Sequence, residues 1–176
     1  MTYAGFWRRL VAQFVDILIL LPLALVHIWA NHTSRNVSLS VVVPLDVLSN
    51  GYEVYLLGRY GQTIGKRVVR VRVVRTDGTA ISWREAWLRS SVNIVLGAIS
   101  CVGAIVVLKS IPETYFSLNW VQRSALYTAS RPPWLRWVMW AQQCWVWGEL
   151  VVLLSNRRRR ALHDFMAGTV VVVDPP

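Results

Sequence analysis

Four apolar stretches, each about as long as a bilayer is thick, constrain this chain more than any other feature of its sequence. A helix needs about 20 residues to cross the hydrocarbon core of a membrane. The stretches are residues 10–30, 38–58, 91–111 and 134–154. They predict an all-α integral membrane protein with four transmembrane helices, folded as a single domain over residues 1–176.

The second stretch is the weakest, because Pro44, Asp46, Gly51 and Glu53 interrupt it. A three-span protein in which this stretch only enters the bilayer is therefore the main alternative. Charge favours four spans. With four, 14 of the 19 Lys and Arg residues share one side, together with both termini and the tail. Since basic loops face the cytoplasm, we expect both termini to be cytoplasmic.

A glycine- and arginine-rich passage, "GQTIGKRVVRVRVVRTDG" at residues 61–78, lies between the second and third stretches. It does not fit a nucleotide-binding P-loop, because its glycines are one residue too close and no Ser or Thr follows the lysine. The alternation of Val and Arg before an Asp77-Gly78 turn predicts a cytoplasmic β-hairpin over 66–82. Two strands alone are marginally stable, so we expect the Val-rich segment 169–174 to pair with it as a small sheet.

The sequence gives no indication of an enzyme. It contains no Ser–His–Asp arrangement and no His cluster with metal-ligand spacing, so we expect no cofactor and no metal site. Cys101 and Cys144 lie inside apolar stretches, where cysteines behave as small buried hydrophobes. The net charge of +10 is typical of nucleic-acid-binding proteins, but four apolar stretches are not. We therefore expect no nucleic-acid partner.

Three blocks carry a resemblance to a known family: "YAGFWRRLVAQFVD", "GQTIGKRVVRVRVVRTDGTAISWREAWLR" and "NRRRRALHDFMAGTVVV". In this order they resemble the RDD family of small bacterial membrane proteins, named for one arginine and two aspartates. By position these are Arg9, with Arg8 as the rival, Asp16 and Asp164. The resemblance implies a multi-pass protein of the bacterial inner membrane, and transport has been suggested for the family. The external segment 109–133 departs from the family pattern.

Carboxylates inside the predicted spans are costly unless they are paired, protonated or hydrated. Counted from the cytoplasmic ends, Asp16, Glu53 and Glu149 lie five or six residues deep, and Asn93 lies near the same level. At 1.5 Å of rise per residue these groups form one layer. The layer is either a hydrogen-bonded network that holds the helices together or a site for a cation or proton.

Arg9 and Asp16 are seven residues apart, and about 10 Å of helical rise separates them. Arg9 should lie at the membrane surface, because long basic side chains extend toward water. We therefore predict that Arg9 pairs with Asp164 and docks the tail against the first span. Asp16, deeper among other carboxylates, should titrate or take a cation.

The arginine run 157–160, in the tail 155–176, is expected to contact anionic lipid headgroups. The sequence thus supports two functions. One is transport or ion coupling through the carboxylate layer, which would need a homo-oligomer or a partner membrane subunit, because four helices leave little room for a pathway. The alternative is a non-transporting scaffold that docks a partner or anionic lipid through its basic cytoplasmic face. The residues of this basic face are Arg157, Arg158, Arg159 and Arg160.

Overall fold

The computed structural model describes residues 2–174, which fold mainly into helices. Four helices are long and three are short, and two strands pair into one small sheet. In chain order the elements are α1 (Phe6–Thr33), α2 (Arg35–Tyr60), α3 (Ile64–Val68), β1 (Val71–Arg75), α4 (Trp83–Ser110), a 3-10 turn (Glu113–Ser117), α5 (Trp120–Ala129), α6 (Pro133–Ser155), α7 (Leu162–Met166) and β2 (Thr169–Val173).

Each of the four predicted spans lies within one long helix, but the four differ in apolar character. By length and composition, α1 and α4 are able to cross a membrane. Helix α2 carries Asp46 and Glu53, and α6 contains several Trp residues and Glu149. The prediction of a mostly helical protein with membrane-type helices is confirmed at this level, and the number of spans stays a prediction.

Helix α2 is the centre of the packing. It contacts α1 on one side and α4 on the other, and α4 in turn contacts α6. Helices α1 and α6 have few or no close backbone contacts in the described part of the chain, and we call the space between them, which side chains of both helices line, the lateral gap. Large apolar side chains are exposed along the outer faces of the long helices, including Phe14, Trp29 and Trp147. Such extensive apolar exposure fits a lipid environment better than water.

The sheet confirms the predicted pairing of the central passage with the tail. Strands β1 and β2 are antiparallel, in a register that runs from Val71 opposite Val173 to Arg75 opposite Thr169. Gly168, with a φ of 65°, provides the turn from α7 into β2. A residue with a side chain would be strained in this left-handed conformation.

The N-terminus joins the same sheet on the free edge of β2. The Ala4 N–H donates to the Val171 carbonyl at 2.9 Å, and the Val173 N–H donates to the Thr2 carbonyl at 2.9 Å. Tyr3 lies opposite Val172 in an isolated bridge. The N-terminus, the central passage and the tail therefore meet at one end of the helices, which we call the sheet end. The opposite end, called the far end, carries the 3-10 turn and α5.

The predicted hairpin over 66–82 is present only in part. Its first arm begins only at Val71, because residues Ile64–Val68 form α3 instead. The Thr63 hydroxyl caps this helix by accepting from the Lys66 N–H at 3.3 Å. The second arm is reduced to one bridge between Val74 and Ala80, and the strand that pairs with β1 along its whole length is β2 of the tail.

Candidate functional site

Asp164 is fully buried at the sheet end and is held by two arginines. Arg9 donates from Nη1 to Oδ2 at 2.8 Å, and Arg89 forms an ion pair with Oδ1. The Thr169 hydroxyl and the Ala161 N–H also donate to this carboxylate, at 3.3 and 3.0 Å. The predicted Arg9–Asp164 pair is therefore present, and we call the group of Arg9, Arg89 and Asp164 the arginine–aspartate knot. Arg8, the rival of Arg9, is exposed.

The charge of the knot follows from its composition. Burial alone would raise the pKa of Asp164, but the charges of Arg89, His163 and Arg9 together lower it well below its usual range. The carboxylate is therefore ionised at neutral pH. Because two arginines share it, the knot carries one net positive charge.

Arg89 is the member of the knot that the sequence reading missed. The Trp and Arg residues of "SWREAWLRS" are typical of an interfacial helix with its arginines at headgroup level, whereas Arg89 is 4 % exposed. A signal was available. Ser82 and Glu85 form a capping box that starts α4, so Arg89 lies one turn further inside the helix, on the same face as Glu85.

Asp16 is also buried, but it has a different set of partners. It accepts hydrogen bonds from the Tyr52 hydroxyl at 2.7 Å, the Thr63 hydroxyl at 2.5 Å and the Gly65 N–H at 2.8 Å. A Cβ on Gly65 would lie 2.1 Å from the Ala12 carbonyl oxygen. Asp16 thus fastens α3 closely against α1. Three donors around one carboxylate indicate a structural anchor, not the ion-binding group that the sequence predicted.

The predicted layer of four polar groups is not one cluster. Asp16 is engaged by α3, and Asn93 is exposed on α4, outside the helix packing. Only Glu53 and Glu149 line a common space. Within residues 2–174, no group of three or more His, Cys, Asp or Glu side chains is arranged to hold a metal ion.

That space is a cavity of about 260 Å³ at the sheet end, which we call the inner cavity. Its apolar wall includes Leu10 of α1 with Val146 and Leu150 of α6. Because α1 and α6 do not pack closely, the cavity lies at the lateral gap between them. Its ionisable lining residues are Arg9, Glu53, Lys66, Arg89, Glu149 and His163.

His163 connects the inner cavity to the knot. Its Nδ1 atom is bonded to the Glu149 carboxylate, and its Nε2 atom lies 3.7 Å from Oδ1 of Asp164. Both Glu149 and His163 are largely but not completely buried. The imidazole thus lies between two carboxylates, and its contact with Glu149 joins α6 to α7.

The cations of the inner cavity have donors without partners. The Nε atoms of Arg9 and Arg89 are buried and make no hydrogen bond within residues 2–174. Lys66 also lines the cavity, and its side chain is half-buried. Burial lowers the pKa of Lys66, against the opposing attraction of Glu53. An unpaired buried donor costs about 1–3 kcal/mol, so the protein keeps these groups at the expense of stability.

A second cavity of about 580 Å³, the outer cavity, lies further along the same helices. Asp46 and His27 line it, and Gln142 donates to the Ser100 hydroxyl there at 3.0 Å. On α1 the inner cavity ends at Gln13, while the outer cavity begins at position 20. Seven residues of helix correspond to about 10 Å, so roughly two turns separate the cavities.

The arginine run divides into two parts. Arg160 folds inward, where it donates to the carbonyl oxygens of Thr169 and Asp164 at 3.1 and 3.0 Å. Arg157, Arg158 and Arg159 keep exposed side chains. Three of the four arginines predicted to contact lipid or a partner are therefore exposed at the sheet end.

Comparisons with known proteins agree with this architecture. The family model described as "RDD family" matches residues 3–168. An uncharacterized protein of Bacillus subtilis, YckC, is 27 % identical over 174 residues, which are 98 % of this chain and 86 % of YckC. No solved structure matches.

Proposed function

Since the chain belongs to the RDD family, we propose that it is a four-span protein of the bacterial inner membrane with its sheet end in the cytoplasm. Helices α1 and α4 support membrane insertion, and the concentration of Lys and Arg at the sheet end supports this orientation. In this orientation the inner cavity lies at the cytoplasmic surface of the bilayer.

We further propose that the protein transports a solute or ion and couples this movement to a proton at Glu149 and His163. One observation carries the proposal: Glu149 is bonded to His163 beside a cavity that Glu53 also lines. Ionisable groups inside a membrane protein are expensive, and they commonly mark ion or proton pathways. The knot, next to His163, holds the tail in place while the histidine changes charge.

The outer cavity supplies the second half of a pathway. It contains Asp46 and is lined by α1, α2 and α4, with Gln142 as its contribution from α6. A movement of α6 relative to α1 would join the two cavities across the intervening two turns. Since α6 packs only against α4 among the long helices in the described part of the chain, a second copy or a partner subunit would complete its outer face.

Flux into proteoliposomes tests this proposal. Purified protein is reconstituted with a pH-sensitive dye inside, and proton movement is followed after a gradient of Na⁺ or K⁺ is imposed. We expect flux by the wild type, its loss in Glu149→Gln, and its retention in Glu113→Gln. Glu113 is an exposed carboxylate at the far end, so it is the matched control. Absence of flux from the wild type, or equal loss in both variants, would contradict the proposal.

A scaffold function is the second candidate, because Arg157, Arg158 and Arg159 form an exposed basic edge. Such an edge attracts anionic headgroups or an acidic partner at the membrane surface. Affinity purification from native membranes separates the candidates. A stoichiometric complex that is lost when the three arginines become Gln, without flux by the wild type, would support the scaffold.

A further inference from the structure

We infer that the inner cavity binds an oxyanion, such as a phosphate group, through Arg9, Lys66 and Arg89. This inference rests on the proposed function in that it names the substrate class of the same cavity. The cavity is otherwise assigned only a proton, which Glu149 and His163 hold. The cations have no role in that step, so the inference accounts for groups that proton coupling leaves unexplained.

The donors are the first argument. Arg89 is 96 % buried, and its Nε atom has no hydrogen-bond partner within residues 2–174. The Nε atom of Arg9 is in the same position, while Asp164 occupies the Nη1 atoms of both arginines. Buried donors in a native protein generally have an acceptor. Both arginines and Lys66 line the inner cavity, so an acceptor located there lies beside three cationic side chains.

Charge is the second argument. Two arginines and Lys66 face the carboxylates of Asp164, Glu53 and Glu149 around this cavity, so the group is neutral while His163 is neutral. Protonation of His163 or Glu149 adds a positive charge that an anion can balance. Anion binding and proton binding should therefore strengthen each other, and this coupling acts in both directions.

The dimensions and position of the cavity are the third argument. A water molecule occupies about 30 Å³ of liquid, so 260 Å³ exceeds the volume of several waters and accepts a phosphate group. The apolar wall formed by Leu10, Val146 and Leu150 lies at the gap between α1 and α6. A lipid headgroup can enter there from the bilayer, and a soluble anion can enter from the sheet end. The recognising chemistry is the same for both.

A pair of neighbouring basic residues makes the test specific. Lys66 lines the inner cavity, whereas Arg67 is exposed outside it. Lys66→Met and Arg67→Met remove the same charge from adjacent positions. Thermal unfolding in detergent is measured during titration with sodium phosphate, with NaCl at equal ionic strength as the reference. We expect saturable stabilisation of the wild type and of Arg67→Met, and at least about tenfold weaker binding to Lys66→Met, as expected for loss of a charged hydrogen-bond donor.

A second measurement distinguishes the sources of the oxyanion. The same variants are placed in nanodiscs of phosphatidylcholine, with and without phosphatidylglycerol. Stabilisation by phosphatidylglycerol that depends on Lys66, without a phosphate effect in detergent, identifies a lipid headgroup. Stabilisation by phosphate identifies a soluble anion. No saturable effect of either, or equal loss in both variants, would overturn the inference. Binding without flux leaves the inference standing and removes the transport proposal.

Discussion

Arg9 in the first helix and Asp164 in the tail, 155 residues apart in the chain, form an ion pair with an Nη1–Oδ2 distance of 2.8 Å. Arg89 pairs with the other oxygen of the same carboxylate. The buried Asp164 carboxylate therefore connects α1, α4 and the tail to one another. Its disruption should affect the whole sheet end, because the N-terminus and β2 share one sheet.

The first prediction concerns how much each residue of the arginine–aspartate knot contributes to stability. Asp164→Asn leaves two buried arginines without their counter-charge and should destabilise the protein by about 3–5 kcal/mol. Arg9→Met should cost less, since Arg89 still neutralises Asp164. Unfolding in detergent with increasing SDS measures both. Equal losses would show that Arg89 does not share the carboxylate.

A charge swap provides the control for this prediction. Arg9→Asp combined with Asp164→Arg would restore a simple two-residue bridge. In this protein it should restore little stability, because the new arginine would face Arg89. An Arg9–Asp164 pair without a third member would instead recover stability in the swap. Full recovery would mean that Arg89 is not a member of the knot.

The second prediction is the pH dependence of stability. The pKa of Asp164 is lower in the folded protein than its ordinary value of about 3.9. Its ionised form therefore stabilises the fold above about pH 4, and this contribution is lost as the pH falls toward the folded pKa. The difference in melting temperature between the wild type and Asp164→Asn, measured from pH 3 to 7, should stay constant above about pH 5 and become smaller toward pH 3. A constant difference over this range would contradict the prediction.

The third prediction concerns the contact between α3 and α1. A Cβ at Gly65 would lie 2.1 Å from the Ala12 carbonyl oxygen and 2.7 Å from the Asp16 carboxyl carbon. Gly65→Ala should therefore separate α3 from α1 and lower stability by several kcal/mol, above the usual range for single substitutions. Gly51→Ala is the matched control, since a Cβ there meets no atom within 4 Å. The control should gain about 0.5–1 kcal/mol, because Gly51 lies inside α2.

Sequence patterns predicted the parts of this fold that depend on local composition. Apolar length located the four long helices, and the Val-rich composition of both segments predicted the pairing of β1 with β2. The Arg9–Asp164 pair followed from helical rise, from the extension of arginine toward water and from the position of the tail at the membrane surface. Each of these features depends on local composition or on position along the chain.

The sequence did not determine features that depend on which of several partners a group selects. The sequence placed Asp16 at the same depth as two other carboxylates. In the structure its hydrogen bonds come instead from the hydroxyl groups of Tyr52 and Thr63. Arg89 looked like one of several surface arginines until α4 was placed against the tail. Counting residues predicted how deep each group lies in the bilayer. It did not predict the rotation of each helix about its axis, which exposes Asn93 and directs Glu53 to the inner cavity.

The fourth prediction tests the orientation of the protein. Gly78 lies in the turn after β1 at the sheet end, and Ser117 ends the 3-10 turn at the far end. In a variant without Cys101 and Cys144, a single cysteine at Ser117 should react with an impermeant maleimide added to intact cells. A cysteine at Gly78 should react only after the membrane is opened. Labelling of both sites from the same side would contradict the four-span arrangement.

The fifth prediction concerns the stability cost of Lys66. Burial lowers the pKa of this lysine in the folded protein, below the unfolded value of about 10.4. Between these two values the unfolded chain binds more protons, so stability rises with pH. At neutral pH the charged ammonium therefore destabilises the fold. Lys66→Met should melt at a higher temperature than the wild type at pH 7, and this advantage should narrow as the pH approaches 10.

Arg67→Met is again the matched control. The guanidinium of Arg67 is exposed, so its removal relieves no cost of burial. The melting temperature of Arg67→Met should therefore stay close to that of the wild type at both pH values. A residue kept at a cost to stability is typical of a functional site. A lower melting temperature for Lys66→Met at pH 7 would show instead that Lys66 stabilises the fold, through Glu53 or another carboxylate. That result would remove Lys66 from the proposed anion site and leave the site with the two arginines alone.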